Sequence, residues 1–229
     1  VDHGQWILGP EVGEFEKRFA EYCDVKYAVG VASGTDALIL SMKALGIGPG
    51  DEVVTVPNSF LASASAIALS GARPVFVDVG SDFNMDPTLL ESAITSKTKA
   101  ILPVHLTGRA ADMRPILLTA EKYGLMVIED AAQAVGAKYD GKKVGSFGKT
   151  GCFSLHPLKT LNACGDGGII TTNDKNVHEY LIQARNHGLY TRDEVGFWSP
   201  NSRLDTIHAA MLLVKLKYLD DWIRSRREN

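Results

Sequence analysis

Short runs of consecutive apolar residues alternate with helix-like stretches along most of this chain. The runs lie at 27–31, 52–56, 74–77, 100–104 and 125–128, and amphipathic or small-residue stretches separate them. Strands that are apolar throughout are typical of a parallel sheet that is covered on both faces. The alternation of strand and helix therefore predicts an α/β protein with a mostly parallel sheet.

Polar residues are concentrated at the positions where these strands end. Ser33–Thr35 follows one strand, Asn58–Phe60 another, His105 a third and Asp130–Gln133 a fourth. In α/β sheets, ligands bind beyond the carboxyl ends of the strands. The sequence therefore predicts a ligand site at the edge of the sheet where these four clusters meet.

One bend carries a lysine between two further apolar strands. Residues 153–159 read Phe-Ser-Leu-His-Pro-Leu-Lys, and a Gly-Asp-Gly-Gly turn at 165–168 leads into the second strand. Pro157 keeps His156 out of helical geometry, and the glycines let the backbone approach another segment closely. A lysine is most often simply exposed, but one held in such a bend can serve as a covalent amine catalyst. Lys159 is therefore a candidate nucleophile.

These features together match what an aldehyde cofactor with a phosphate group needs. Lys159 would supply the amine, and the amides of Gly34 and Thr35 would bind phosphate at the start of a helix. Asp130 would keep a pyridine nitrogen protonated, so that the ring stabilises negative charge on the substrate carbon. A stacking ring, a hydrogen bond to the ring hydroxyl and a further phosphate contact would come from Phe60, Gln133 and Ser154. Each residue alone also has an ordinary structural explanation, such as a helix cap, a paired carboxylate or a core aromatic.

Composition and charge exclude several other classes of protein. The chain has 229 residues, of which 45% are hydrophobic and 22% charged, and a net charge of −3. This charge gives no reason to expect nucleic acid or an anionic membrane surface as a partner, and no apolar run is long enough to span a bilayer. Cys23, Cys152 and Cys164 lack CxxC spacing, which argues against disulfides and a metal site. We therefore expect a cytoplasmic protein without a bound metal.

The motifs resemble those of the DegT/DnrJ/EryC1/StrS aminotransferases, which are sugar aminotransferases of the type I pyridoxal-phosphate fold. The resemblance covers essentially the whole chain. The stretches that carry it are WILGPE at 6–11, ASGTDAL at 32–38, GPGDEV at 48–53, IEDAAQA at 128–134, FSLHPLK at 153–159 and PNSRL at 200–204.

The resemblance implies a type I fold that is truncated at its carboxyl end. Residues 1–202 would form the large domain, a mostly parallel mixed sheet between helices, with the segment 1–24 packed on it. Residues 203–229 have the pattern of one long helix. That helix would lead to a small carboxyl-terminal domain, which family members have and this chain lacks.

The resemblance also implies pyridoxal 5'-phosphate as the cofactor, with specific residues around it. Lys159 would form the Schiff base and shuttle a proton, while Asp130 would pair with the pyridinium nitrogen. The remaining cofactor contacts would be made by Gly34, Thr35, Phe60, Gln133 and Ser154.

The implied reaction is amino transfer from L-glutamate or L-glutamine to a keto group of a nucleotide-activated sugar, with ping-pong kinetics. The enzyme would be a homodimer, with Asn201 reaching the cofactor phosphate of the neighbouring subunit. His156 and His105 would line the substrate side. His105 has an equally weighted alternative, as a histidine at a strand end whose ring nitrogens are satisfied within the protein.

Three other interpretations compete with this one. A nucleotide-sugar dehydratase of the same fold is disfavoured, because those enzymes are known for a histidine where this chain has Lys159. A non-catalytic relative that binds pyridoxal phosphate would share the fold but transfer no amino group. A nucleotide-binding P-loop at Gly148–Thr150 fails because the pattern requires a glycine where the chain has Lys143.

Overall fold

The computed structural model describes residues 3–228 as an open sheet with helices on both faces. The helices are α1 (Pro10–Cys23), α2 (Gly34–Ala44), α3 (Ala62–Leu69), α4 (Leu90–Ala93), α5 (Met113–Tyr123), α6 (Lys175–Ala184), α7 (Thr206–Leu216) and α8 (Leu219–Glu228). The strands are β1 (Tyr27–Val31), β2 (Glu52–Thr55), β3 (Arg73–Phe76), β4 (Thr98–Ile101), β5 (Met126–Asp130), β6 (Lys138–Tyr139), β7 (Lys142–Lys143), β8 (Thr150–Ser154) and β9 (Gly168–Thr172).

Seven of these strands, within the described range, form one mixed sheet in the order β1-β9-β8-β5-β4-β2-β3. Strand β9 runs antiparallel to both of its neighbours, β1 and β8, and the other pairs are parallel. The predicted α/β class with a mostly parallel mixed sheet is confirmed. The remaining strands, β6 and β7, form a small separate hairpin.

The sheet buries side chains on both faces, as its apolar strands predict. Successive side chains of a strand point to opposite faces, and Cys152 and Phe153 of β8 accordingly belong to different core clusters. Helix α1 covers the face that carries Phe153. Phe19 of α1 meets Phe153 edge-on, with ring centroids 5.1 Å apart, and both rings are fully buried.

Local sequence signals set the ends of several helices. Pro10 occupies the first turn of α1, where its missing N–H costs no hydrogen bond. Gly124 ends α5 in the left-handed conformation, with φ of 66°, which a glycine adopts without strain. Pro10 therefore marks where α1 begins, and Gly124 marks where α5 ends.

The prediction of one helix over residues 203–229 was wrong. The segment forms two helices, because the chain turns at Lys217 and Tyr218 between α7 and α8. The turn allows Leu219 to become fully buried and Ile223 to pack against the same core cluster. Asn229 lies outside the described residues.

Helix α6 was not predicted, although Asp174 caps it by accepting from the amides of Asn176 and Val177. The division of the chain at 202/203 stays a prediction. Over residues 3–228, the structure contains no helix with the length and apolarity that crossing a bilayer requires.

Candidate cofactor and active site

One cavity of about 440 Å³ lies at the carboxyl ends of β1, β5 and β8. This is the edge at which open α/β sheets bind ligands. The cavity brings together eight of the residues predicted from the sequence, namely Gly34, Thr35, Phe60, Asp130, Gln133, Ser154, His156 and Lys159.

The amino terminus of α2 forms one wall of the cavity. Ser33 caps this helix, because its Oγ accepts from the amide of Asp36 at 3.0 Å. The first amides of a helix have no intrahelical acceptor, and the helix dipole gives them a partial positive charge. With the Asp36 amide bound to Ser33, the amides of Gly34 and Thr35 are the ones that an anion can use.

The same wall requires two close backbone approaches that only glycine permits. A Cβ at Gly34 would lie 2.7 Å from Cβ of Ser154, which is closer than real Cβ atoms approach. A Cβ at Gly168 would lie 2.2 Å from the carbonyl oxygen of Ser33. These two glycines therefore let β8 and β9 reach the start of α2, and they bring the Ser154 hydroxyl beside the helix amides.

Asp130 ends β5 as a buried carboxylate. Its Oδ2 accepts from Ser63 Oγ at 2.6 Å, and its Oδ1 accepts from the amide of Ala132 at 3.1 Å. Burial raises the pKa of the Asp130 carboxyl, and the bonds from Ser63 and Ala132 and the charge of Lys159 oppose that rise. A cationic group in the cavity would therefore be favoured next to Asp130, because it would stabilise the ionised form.

Lys159 lies in the bend between β8 and β9 and is partly buried. Its amide donates to the carbonyl of His156 at 2.8 Å, which closes a tight turn after Pro157. Its ammonium group is near enough to Asp130 to act on that carboxylate. An amine, a buried carboxylate and a helix amino terminus thus share one cavity.

Three further predicted residues border the cavity in different ways. Gln133 accepts from the amide of Thr107 through Oε1 at 2.9 Å, which leaves its Nε2 as the group that can donate to a ligand. The Phe60 ring is 72% exposed at the rim. His156 is exposed, and its Nδ1 accepts from the amide of Leu158 at 3.2 Å, so its Nε2 is the nitrogen that can meet a substrate.

Comparison with known proteins identifies the family. The model of the DegT/DnrJ/EryC1/StrS aminotransferase family matches residues 1–229. The chain belongs to this family.

The relatives include both biosynthetic and regulatory proteins. A dTDP-3-amino-3,6-dideoxy-alpha-D-galactopyranose transaminase from Aneurinibacillus thermoaerophilus is 51% identical over 229 residues, which are 100% of this chain and 63% of the relative. A pleiotropic regulatory protein from Geobacillus stearothermophilus is 47% identical, over 98% of this chain and 61% of its own. The chain thus spans about three fifths of the length of these relatives.

Solved structures agree with the fold and with the family's cofactor. The DesV protein of Streptomyces venezuelae, solved in complex with a ketimine intermediate, has a TM-score of 0.94 and 45% identity, covering 96% of this chain and 60% of its own. A Bacillus subtilis relative, with a TM-score of 0.90 and 37% identity over 95% of this chain and 50% of its own, was solved with bound PMP. The DegT/DnrJ/EryC1/StrS family depends on pyridoxal phosphate.

The residues of the cavity fit the cofactor of the DegT/DnrJ/EryC1/StrS family. The donor set contains an amine for an aldehyde, helix amides and a hydroxyl for a phosphate, and a carboxylate for a pyridinium nitrogen. The glycines at 34 and 168 keep the wall at the amino terminus of α2 compact, since a Cβ at Gly34 would collide with Ser154 and a Cβ at Gly168 with the Ser33 carbonyl. Burial raises the pKa of Asp130, and a pyridinium N–H beside this carboxylate would lower that pKa by stabilising the ionised form.

His105 differs from the expectation that it lines the substrate side. Its side chain is fully buried, and its Nδ1 accepts from the amide of Ala111 at 3.0 Å. Nδ1 therefore carries no proton, so Nε2 is the protonated nitrogen that donates to Glu129 at 3.0 Å. Both ring nitrogens are used within the protein, and the structure supports the alternative of a strand-end structural histidine.

Asn201 lies away from this cavity, on the exposed surface of the chain, where its backbone pairs with Asn186. A residue that serves the site of a neighbouring subunit would have to be exposed in a single chain. The expectation that it acts in trans therefore stays a prediction.

Two supporting residues were missed by the sequence analysis. Ser63 binds Asp130 from α3, and its only sequence signal is a serine in a helix of small residues. Glu129 is fully buried and accepts from the amides of Gly145, Phe147 and Gly148, each at 2.7 Å, as well as from His105. The two adjacent acidic residues at 129 and 130 could have indicated it. Neighbouring side chains of a strand point to opposite faces, so only one of the two can face the cavity and the other must be bound within the protein.

Proposed function

We propose that this protein binds pyridoxal 5'-phosphate and transfers an amino group from L-glutamate or L-glutamine to a keto group of a nucleotide-activated sugar. The observation that carries the proposal is the single cavity shared by the Lys159 amine, the buried Asp130 carboxylate and the amino terminus of α2. Family membership supports the reaction class.

The cofactor contacts follow from the groups that the cavity offers. When bound, the cofactor supplies an aldehyde that bonds to amines and a protonated ring that stabilises negative charge on the neighbouring carbon. The phosphate would be held by the Gly34 and Thr35 amides and by the Ser154 hydroxyl. Asp130 would hold the proton on the ring nitrogen, and Gln133 Nε2 would donate to the ring oxygen.

Lys159 has two roles in this proposal. Its amine holds the cofactor until an amino donor replaces it, and it then becomes a base positioned within the cavity. It would take the proton from the donor's α-carbon and return it to the cofactor carbon. Because donor and acceptor would use the same site in turn, ping-pong kinetics are expected.

The substrate class is proposed from the names of relatives. Besides the dTDP-sugar transaminase, a relative from Pseudomonas aeruginosa that is 48% identical is a UDP-2-acetamido-2-deoxy-3-oxo-D-glucuronate aminotransferase. We extend this chemistry to a keto sugar linked to a nucleoside diphosphate, with His156 at the substrate side of the cavity. The proposed assembly is a cytoplasmic homodimer in which Asn201 completes the phosphate site of the neighbouring subunit.

A spectrum of the purified chain with pyridoxal phosphate tests the proposal. We expect the yellow absorbance band of lysine-bound cofactor, and its conversion to the amine form of the cofactor when glutamate is added. Lys159→Ala should abolish the band. Lys149→Ala, which changes an exposed lysine just before β8, is the matched control and should keep it. A band that survives in Lys159→Ala would refute the role of this lysine.

A regulatory protein that binds the cofactor without amino transfer is the second candidate. The observation that favours it is the pleiotropic regulatory protein among the relatives. The same experiment separates the two candidates, because a regulatory relative would show the yellow band but no conversion to the amine form with glutamate or glutamine.

A further inference from the structure

The loop that carries Lys159 is closed at its base by backbone hydrogen bonds. It leaves the sheet after β8 and returns at β9, and the amide of Leu155 donates to the carbonyl of Gly167 at 2.8 Å. The amide of Ala163 donates to the carbonyl of Leu155 at 2.7 Å. These bonds fix where the loop begins and ends, but they leave the residues around Lys159 to be held by other groups.

Asn162 holds the backbone of Lys159 directly. Its Nδ2 donates to the carbonyl oxygen of Lys159 at 2.7 Å. Its Oδ1 and its own carbonyl oxygen both accept from Nζ of Lys215, at 2.6 and 2.8 Å. An ammonium group can only donate, so Lys215 fixes the orientation of the Asn162 amide and turns Nδ2 towards Lys159.

The support comes from outside the cavity. Neither Asn162 nor Lys215 lines the cavity, and Lys215 belongs to the last turns of α7. Helix α8 contributes a second contact, in which Nη1 of Arg226 donates to Oγ1 of Thr160 at 2.8 Å. The two carboxyl-terminal helices of the described residues therefore hold the loop on both sides of its midpoint.

From these contacts we infer that Asn162 and Lys215 act as a positioning pair for the reactive amine. Lys215 orients the Asn162 amide, and Asn162 fixes the backbone from which the Lys159 side chain extends into the cavity. The inference rests on the proposed function, in which Lys159 is the amine that bonds to the cofactor. It therefore gives α7 a role in the site, although no residue of α7 lines the cavity.

Hydrogen exchange of the chain without cofactor tests the positional part. In Asn162→Ala and in Lys215→Met, the amides of Lys159 and Ala163 should exchange about tenfold faster. The first variant loses the bond from Asn162 Nδ2 to the Lys159 carbonyl, and the second loses the charged donor that orients the Asn162 amide. In the double variant the acceleration should be smaller than the product of the two single effects, because the contact between Lys215 Nζ and Asn162 Oδ1 is already lost in either single variant. Lys215→Arg keeps a charged donor and should restore most of the protection.

Lys217→Met is the matched control, because Lys217 follows α7 and is exposed. In this control variant, the amides of Lys159 and Ala163 should exchange at the same rates as in the unsubstituted chain. Equal exchange in Lys215→Met and in the control would overturn the inference, as would purely additive effects in the double variant, because Lys215 would then only stabilise its own helix.

The reactive part is tested by the rate at which the yellow band forms after mixing with pyridoxal phosphate. The rate should fall about tenfold in Asn162→Ala and Lys215→Met but not in Lys217→Met. If the unsubstituted chain forms the band no faster than these variants, the positioning role is overturned but the proposed function is not. A chain that forms no band at all overturns the proposed function, and the positioning role with it.

Discussion

Removal of the Ser63 hydroxyl should destabilise the ionised form of Asp130 relative to its protonated form. Ser63 Oγ donates to Asp130 Oδ2 at 2.6 Å, and both side chains are almost completely buried. A hydrogen bond to a charged group contributes about 1.5–3 kcal/mol, and one between neutral groups about 1 kcal/mol. Ser63→Ala should therefore lower the free energy of unfolding by about 1 kcal/mol where Asp130 is protonated and by about 1.5–3 kcal/mol where it is ionised.

The pH dependence follows from the direction of the pKa shift. Burial raises the pKa of Asp130, so the folded chain binds this proton more tightly than the unfolded chain does. The stability that comes from this proton is present in acid and is lost as the pH rises through the raised pKa. Ser63→Ala raises that pKa further, so the difference in stability between the two chains should grow from acidic to neutral pH.

Urea denaturation at a series of pH values, without cofactor, measures this difference. Ser65→Ala is the control on the same helix, because Ser65 Oγ donates only to the carbonyl of Ala62, at a long 3.4 Å. Its effect should stay within about 0.5 kcal/mol at every pH. A Ser63→Ala effect that is constant with pH, or no larger than that of Ser65→Ala, would show that Ser63 does not support the carboxylate.

Three further substitutions test other parts of the site. Gly34→Ala should destabilise the chain by about 1–3 kcal/mol and weaken cofactor binding, because its Cβ would collide with β8. Gly13→Ala has open space around it and should preserve or raise the melting temperature. Glu129→Gln should cost about 3 kcal/mol or more in urea denaturation, since it puts a donor among three backbone amides, while Glu121→Gln at an exposed site should cost little. Asn201→Ala should reduce the cofactor retained after gel filtration without changing the melting temperature; unchanged retention would remove it from the phosphate site.

The sequence predicts local elements well where a single residue type sets them. Pro10 marks the start of α1, and the apolar runs mark the strands of the parallel part of the sheet. The antiparallel placement of β9 between β1 and β8 is not visible in the hydrophobic pattern, because buried strands of either direction are apolar on both faces. The break between α7 and α8 was missed because helical periodicity continues across the turn at Lys217, and only burial of Leu219 favours the turn.

In the candidate site, too, some residues could be predicted from the sequence and others could not. Asp130 and Lys159 have distinctive chemistry, so their place at the cavity could be predicted from the strand end at 130, the bend after β8 and the family resemblance. His105 was ambiguous, because only the contacts with Glu129 and the Ala111 amide show that both ring nitrogens are used within the protein. Residues that act through others have ordinary sequence contexts, and long-range contacts such as that between Lys215 and Asn162 have no local signal.

The close approach of Gly168 to the carbonyl of Ser33 has a consequence for synthesis of the chain. The start of α2 leaves the ribosome early, but the strand that packs against it is made more than a hundred residues later. Until β9 inserts between β1 and β8, nothing fixes the distance between the amino terminus of α2 and the loop that carries Lys159. A nascent chain that ends before β9 should therefore fail to capture the cofactor, even though Lys159 has already been added.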